Sequence, residues 1–186
     1  MNLFNLSYAF LWAIIALQSY FIIQFGRKLQ AAKSTADAGP GLIEEDHGLP
    51  KRALFPQFQF ESVNKGLIDL KQLGKQKHGF LIAFTDAKCT SCKELYPVLE
   101  RFHQQSPQFQ SLILMVGQEP DVVEIINQYG LTVPVMPIDS PTSFQTGIFP
   151  FVYYLSPKGE VIAKSVVQYR EQLNALLQQT VVPKAS

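Results

Sequence analysis

Residues 80–92, FLIAFTDAKCTSC, decide the fold of this chain. The first five of them, 80–84, are all apolar, and such a run is typical of a β-strand that is buried on both faces. Beyond the second cysteine, apolar residues recur at helical spacing as Leu95, Val98, Leu99 and Phe102. This stretch therefore predicts a buried strand that leads through Cys89 and Cys92 into an amphipathic helix.

The rest of the chain after residue 50 alternates between strand and helix patterns. Before the cysteine segment, short β-prone stretches around Phe58, Phe60 and Ile68 are interrupted by Asn64-Lys65-Gly66. The elements predicted after the first helix are a buried strand over 112–116, a helix from Val122 to Gly130, a short strand over 133–138, a hairpin of 151–155 and 161–166, and a closing helix over 170–179. This order predicts an α/β fold around a central mixed β-sheet.

The two cysteines lie three residues apart where the strand leads into the helix. At a helix start, unpaired N–H groups and the positive end of the helix dipole favour a thiolate over a thiol. Such surroundings lower the pKa of a cysteine from about 8.5 to between roughly 3.5 and 7.5. We therefore predict Cys89, next to Lys88, as the nucleophile and Cys92, one turn further on, as the resolving thiol.

Three other interpretations of the cysteine pair stay open at this point. The pair could be a static structural disulfide, two buried thiols, or half of a metal site. A closed zinc site needs four ligands, and His47, His78 and His103 are distant in sequence from the pair and from one another. We expect no metal and no other cofactor.

The cysteine segment resembles the active-site helix of the thioredoxin family. The resemblance is carried by Lys88-Cys89-Thr90-Ser91-Cys92-Lys93 and by Pro97, five residues after the second cysteine. Ile148-Phe149-Pro150-Phe151-Val152 is similar to the segment that holds the family's cis-proline. The resemblance implies a thioredoxin-like fold in which Phe149 and Pro150 lie against the cysteine pair and bind the substrate.

Both ends of the domain are similar to those of membrane-anchored, redoxin-type thiol–disulfide oxidoreductases. The opening carries Phe55-Pro56-Gln57-Phe58-Gln59-Phe60 and Asp69-Leu70-Lys71-Gln72-Leu73. The closing Val166-Val167-Gln168-Tyr169-Arg170-Glu171-Gln172-Leu173 is most similar to the methylamine dehydrogenase accessory proteins. The resemblance, over residues from about 50 to 180, implies exchange with a protein thiol or disulfide substrate, a redox partner that recycles the pair, and a role in maturing envelope or exported proteins.

The segment also departs from the thioredoxin pattern at three places. Lys88 replaces the usual aromatic residue before the first cysteine, and Thr90-Ser91 differs from the Gly-Pro dipeptide. Ala83 stands where thioredoxin has a buried acid that assists proton transfer. These departures leave the proton-transfer base unassigned, and they leave open whether the protein reduces, oxidises or isomerises disulfides.

The N-terminal region predicts a membrane anchor. Residues 3–25, LFNLSYAFLWAIIALQSYFIIQF, carry no formal charge, and a helix of this length spans roughly 34 Å, enough to cross a bilayer core of about 30 Å. Residues 26–50, rich in Ala, Gly, Pro and small polar residues, predict a flexible linker. The redox domain is then expected over residues 51–180.

The charges that follow this anchor bear on the orientation of the chain in the membrane. Arg27 and Lys28 come directly after the predicted helix, and the positive-inside rule alone would place the domain in the cytoplasm. Anchored relatives instead hold the redox domain outside, where disulfides form. We therefore expect a single-pass protein of the cell membrane whose domain lies on the extracytoplasmic side of a bacterial envelope.

The overall charge excludes one class of partner. With 16 Lys and Arg against 15 Asp and Glu, the net charge is +1, and the chain lacks the basic excess that phosphate binding requires. We therefore expect no nucleic acid partner. The main alternative function is that of a membrane-anchored binding or chaperone module that uses the thioredoxin fold without redox turnover, including one that handles copper.

Overall fold

The computed structural model describes residues 47–178 and, outside them, Gln18. The predicted membrane helix over 3–25 and the linker up to residue 46 lie outside this range, apart from Gln18, and both stay predictions. Among the helices of the described part, none is both long and apolar enough to cross a membrane.

Five of the described strands form one mixed sheet, in the order β5-β4-β3-β6-β7. The strands of the described part are β1 (Gln59–Ser62), β2 (Gly66–Asp69), β3 (Gly79–Asp86), β4 (Phe109–Val116), β5 (Val135–Ile138), β6 (Phe151–Leu155) and β7 (Val161–Val166). Strand β3 pairs with β4 in parallel and with β6 in antiparallel, so the predicted buried strand is the central one. Strands β1 and β2 form a separate antiparallel hairpin.

Four α-helices accompany these strands in the described residues. They are α1 (Leu70–Leu73), α2 (Leu95–Gln105), α3 (Glu119–Tyr129) and α4 (Arg170–Gln178). Helix α3 has a proline in its first turn and is capped at its C-terminus by Gly130, whose φ of 59° is a left-handed conformation that glycine adopts without steric cost. The predicted alternation of strands and helices is thus confirmed, with β5 beginning two residues later than expected.

The two faces of the sheet are covered by different material. Successive residues of a strand point to opposite faces, so Leu81 and Ala83 pack on one side and Phe80 and Ile82 on the other. Apolar residues of α2, α3 and α4 cover the first side, which we call the helical face. The opposite side, the aromatic face, is covered by α1, the hairpin and a ring cluster around Phe55.

The packed domain begins earlier in the chain than expected. The Gly48 N–H donates to the Gln145 carbonyl at 2.7 Å, and the Leu49 N–H donates to the Tyr153 hydroxyl at 2.8 Å. Leu49 is buried. The last residues of the predicted linker are therefore held on the aromatic face, because these buried backbone groups find partners there.

Candidate functional site

The turn after β3 positions the first cysteine. The Asp86 carboxylate accepts from the Lys88 N–H at 2.7 Å, and the Asp86 carbonyl accepts from the Cys89 N–H at 3.0 Å. The Ala87 N–H donates to the Val116 carbonyl at the end of β4. Cys89 therefore lies at the end of the sheet where the parallel strands β3 and β4 both finish.

Cys89 and Cys92 are joined in a disulfide whose Cα atoms are 5.4 Å apart. The Cys92 N–H donates to the Cys89 sulfur at 3.2 Å. The Ser91 hydroxyl lies 3.3 Å from the same sulfur and must be the donor, because a disulfide sulfur carries no proton. Two donors are thus already aimed at the Cys89 sulfur, and both would stabilise a negative charge on it once the disulfide opens.

The two sulfur-bearing residues differ in their accessibility. Cys92 is 0% exposed, whereas Cys89 is only half-buried. An incoming partner can therefore reach Cys89 but not Cys92. This difference is what the predicted roles of nucleophile and resolving thiol require, and the roles themselves stay predictions.

The helix after the cysteines begins later than its apolar periodicity predicts. Ser91–Glu94 form a 3₁₀ turn, in which the Leu95 N–H bonds to the Cys92 carbonyl, and the regular helix α2 starts only at Leu95. Pro97 explains this delay, because it has no N–H to donate to the Lys93 carbonyl. Cys92 consequently lies in the 3₁₀ turn and not in the α-helix.

The structure brings Phe149 and Pro150 to the edge where the disulfide lies. The Phe149–Pro150 peptide bond is cis, as the resemblance implies. Strand β6 starts at Phe151, which pairs with Phe84 near the end of the antiparallel β3. Phe149, like Cys89, is partly buried and packs against the cluster of the helical face. The two predicted substrate-binding residues and the disulfide are thus neighbours in the fold.

Two buried hydroxyls near this site are not predicted from the sequence. Ala83 is fully buried and supplies no acid, and Asp86 lies at the end of β3, half-exposed. The Thr85 and Tyr96 hydroxyls are instead buried without a hydrogen-bond partner in the described residues. Burial raises the pKa of Tyr96. The sequence holds one indication that Tyr96 lies near the site, because it follows Cys92 by four residues.

The histidines and lysines stand apart from this arrangement. His103 is half-buried, and burial lowers its pKa. Lys88 and Lys93 are exposed. The described residues include no group of three or more His, Cys, Asp or Glu side chains that could hold a metal ion.

A shallow hollow lies between the cysteine segment and α3. It is lined by Lys88, Lys93, Asp121 and Glu124, so charges of both signs border it. A surface with this balance does not select a partner by net charge.

Comparison with known proteins supports the same fold. No protein-family model matches the sequence. The chain is similar to the methylamine utilization protein MauD of Methylorubrum extorquens, with 23% identity over 171 residues that cover 90% of this chain and 82% of the relative.

Solved structures agree with this similarity. The thioredoxin domain of a thiol-disulfide oxidoreductase from Bacteroides vulgatus superimposes with a TM-score of 0.61 and 18% identity, covering 72% of this chain and 99% of that one. A Chlorobium tepidum protein described as a thiol:disulfide interchange protein DsbE gives a TM-score of 0.62 and 18% identity, covering 72% and 96%. The chain therefore has the thioredoxin-like fold that the cysteine segment predicts.

Proposed function

We propose that this thioredoxin-fold chain is a thiol–disulfide oxidoreductase that exchanges disulfides with a protein partner. The observation that carries the proposal is the pair itself: an accessible Cys89 bonded to a buried Cys92 at the end of the central strand. A purely structural bridge is a poorer explanation, since a loop this short constrains the unfolded chain little. The similarity to MauD and to oxidoreductase structures supports the same activity.

The exchange proceeds in two steps, written here in the direction that reduces the partner. The Cys89 thiolate attacks one sulfur of the partner's disulfide, that S–S bond breaks, and a mixed disulfide forms as the first partner thiolate leaves. The Cys92 thiolate then attacks the Cys89 sulfur and releases the second partner thiolate. Two electrons and two protons pass to the partner, and a separate redox partner must reduce the Cys89–Cys92 disulfide again.

Phe149 and Pro150 serve to hold the partner during these steps. Pro150 has no N–H, and the half-buried Phe149 lies just before β6 at the disulfide edge. We propose that an extended segment of the partner lies along Phe149, pairing with its backbone. Its cysteine would then be presented to the Cys89 sulfur.

A trapping experiment tests the exchange. Replacing Cys92→Ser removes the resolving thiol, so the mixed disulfide with the partner should accumulate as a covalent species that reducing agents release. Non-reducing gel electrophoresis followed by mass spectrometry of the released partner identifies the substrate. The matched control is Cys89→Ser, which leaves only the buried thiol and should trap nothing.

The alternative module without redox turnover makes the opposite prediction. Under that alternative, Cys92→Ser traps no partner and the Cys89→Ser variant keeps the biological function of the native chain. This pair of results would exclude the oxidoreductase proposal.

We further propose that the chain is anchored in the cell membrane by residues 3–25, with its redox domain on the extracytoplasmic side. The uncharged length of that segment supports the anchor, and the oxidising environment outside the membrane favours disulfide exchange there. The relative MauD is named for methylamine utilization. The resemblance to membrane-anchored, redoxin-type oxidoreductases supports a role of this chain in the maturation of envelope or exported proteins.

A further inference from the structure

Two hydroxyls are buried without partners between β3 and α2. Thr85 is 0% exposed and Tyr96 is 1% exposed. Neither hydroxyl has a hydrogen-bond partner in the described part of the chain. Because an unpaired buried hydroxyl is unfavourable, most native structures avoid it, and two together need a physical reason.

Both hydroxyls lie on the helical face of the sheet, the face that buries Cys92. Thr85 lies two residues after Ala83 and two before Ala87, and residues at this spacing share one face of a strand. Ala83 and Ala87 both pack on the helical face. Tyr96 and Cys92 belong to the same cluster of buried side chains, four residues apart in the chain. Burial raises the pKa of Tyr96, and the nearby Thr85 hydroxyl acts to lower it, but the two hydroxyls do not meet the geometry of a hydrogen bond.

In the oxidised structure neither hydroxyl is hydrogen-bonded to the Cys92 sulfur. A disulfide sulfur is neutral and is a weak hydrogen-bond acceptor, whereas a thiolate is a much stronger one. Once the disulfide opens, Cys92 must carry a negative charge in the core to attack the Cys89 sulfur. A buried thiolate needs donors, and hydrogen bonds to a charged group are roughly twice as strong as neutral ones.

The titratable groups on the elements around the pair are exposed or only partly buried. Asp86 ends β3 and is half-exposed, and Tyr129 of α3 packs its ring on Tyr96 with the ring centroids 5.0 Å apart. On the cysteine segment, Lys88, Lys93 and Glu94 are exposed.

We propose that the Thr85 and Tyr96 hydroxyls are the donors that stabilise the Cys92 thiolate, in the place where no buried carboxylate is present. This inference rests on the proposed exchange reaction. In the step concerned, the Cys92 thiol loses its proton to solvent, its thiolate bonds to the Cys89 sulfur, and the bond between Cys89 and the partner breaks. The partner leaves as a thiolate that can take up a proton. One S–S bond breaks and another forms in this step, so it needs no external oxidant or reductant.

A two-phase assay on the reduced full-length protein in detergent tests the inference. An aromatic disulfide releases one coloured nitrothiobenzoate when Cys89 attacks it and a second one when Cys92 resolves the mixed disulfide. In Tyr96→Phe and Thr85→Val the first phase should match the native protein. The second phase should be about tenfold slower at pH 7 and should reach the native rate at high pH, because the thiolate then forms without help.

The matched control is Tyr154→Phe, which removes the hydroxyl of another buried tyrosine of the helical face. Tyr154 pairs with Leu81 and packs on Phe109, toward the opposite edge of the sheet from the disulfide. Both phases of this variant should match the native protein. Denaturant unfolding of oxidised Tyr96→Phe should show an unchanged or higher midpoint, since the lost hydroxyl has no partner in that state.

Three results would overturn the inference. The second phase of both variants could match the native protein at every pH, or it could slow by the same factor at every pH, which indicates a packing defect. If the native protein itself releases a single nitrothiobenzoate, Cys92 does not resolve the mixed disulfide. That last result rejects the proposed function together with the inference, whereas the first two leave the proposed function standing.

Discussion

At the scale of single residues, Tyr153 ties the start of the domain to its sheet. Its hydroxyl donates to the Phe144 carbonyl at 2.8 Å and accepts from the Leu49 N–H at 2.8 Å. Burial raises the pKa of Tyr153 to about 12, although the hydrogen bond from Leu49 acts to lower it. The side chain is fully buried among the rings of the aromatic face.

We expect Tyr153→Phe to lower the free energy of unfolding by about 1–3 kcal/mol, because two buried backbone groups lose their partner. Urea unfolding followed by fluorescence at pH 7 measures the loss. The raised pKa adds an alkaline signature: above pH 10 the unfolded phenol ionises while the folded one does not, so the native protein loses stability as pH rises toward 12. Equal stability of Tyr153→Phe and the native protein at pH 7 would contradict this role.

At the scale of the elements, Glu100 links α2 to the segment that enters β5. Its carboxylate accepts from the Thr132 N–H at 2.7 Å, from the Val133 N–H at 3.1 Å and from the Thr132 hydroxyl. Burial acts to raise the pKa of Glu100, but these hydrogen bonds outweigh it, and the pKa is lowered overall. The carboxylate form is thus the one that holds the helix on the sheet.

A pH series tests this link. A lowered folded-state pKa contributes stability above the unfolded value of 4.5, and that contribution is lost as the pH falls through the folded-state pKa. We expect Glu100→Gln to be less stable than the native protein by about 1 kcal/mol at pH 7, and the difference to shrink below pH 4. Thermal unfolding at both pH values measures it. A difference that is the same at both values would show that the charge of Glu100 is irrelevant.

Local sequence patterns are sufficient to predict some of these elements but not the bounds of others. The run of residues 80–84 predicts β3 because a central strand is buried on both faces, so its apolar character is continuous in the sequence. The start of α2 is less visible, since Pro97 is compatible with the first turn of a helix and periodicity does not separate a 3₁₀ turn from an α-helix.

At the scale of the whole molecule, the topology places the half-buried Cys89, the proposed nucleophile, at an accessible end of the sheet. Strands β3 and β4 end at that edge, and the antiparallel β6 begins there. Cys89, Phe149 and Pro150 come from two segments about 60 residues apart in sequence, and the pairing of β3 with β6 brings them together.

The proposed orientation in the membrane is tested by labelling intact cells with a membrane-impermeant maleimide. Leu67→Cys, in a chain that also carries Cys89→Ser and Cys92→Ser, supplies one thiol at a side chain that is 71% exposed. We expect labelling before lysis, because the proposed orientation puts the domain outside the membrane. The matched control is Leu81→Cys in the same background, whose buried thiol should react only after denaturation. Labelling of Leu67→Cys only after lysis would place the domain in the cytoplasm.

By itself, the sequence determined the strand, the cysteine pair and the helix that follows, because apolar periodicity and residue spacing are local properties. Its resemblance to the thioredoxin family also implied the cis bond before Pro150. Only the tertiary structure decided that Thr85 and Tyr96 bury unpaired hydroxyls in the layer of Cys92, that Gly48 and Leu49 belong to the packed domain, and that His103 is half-buried. Each of these depends on which distant segments meet across the sheet. Contacts of that kind are set by the packing of the whole chain and leave no periodic pattern in the sequence.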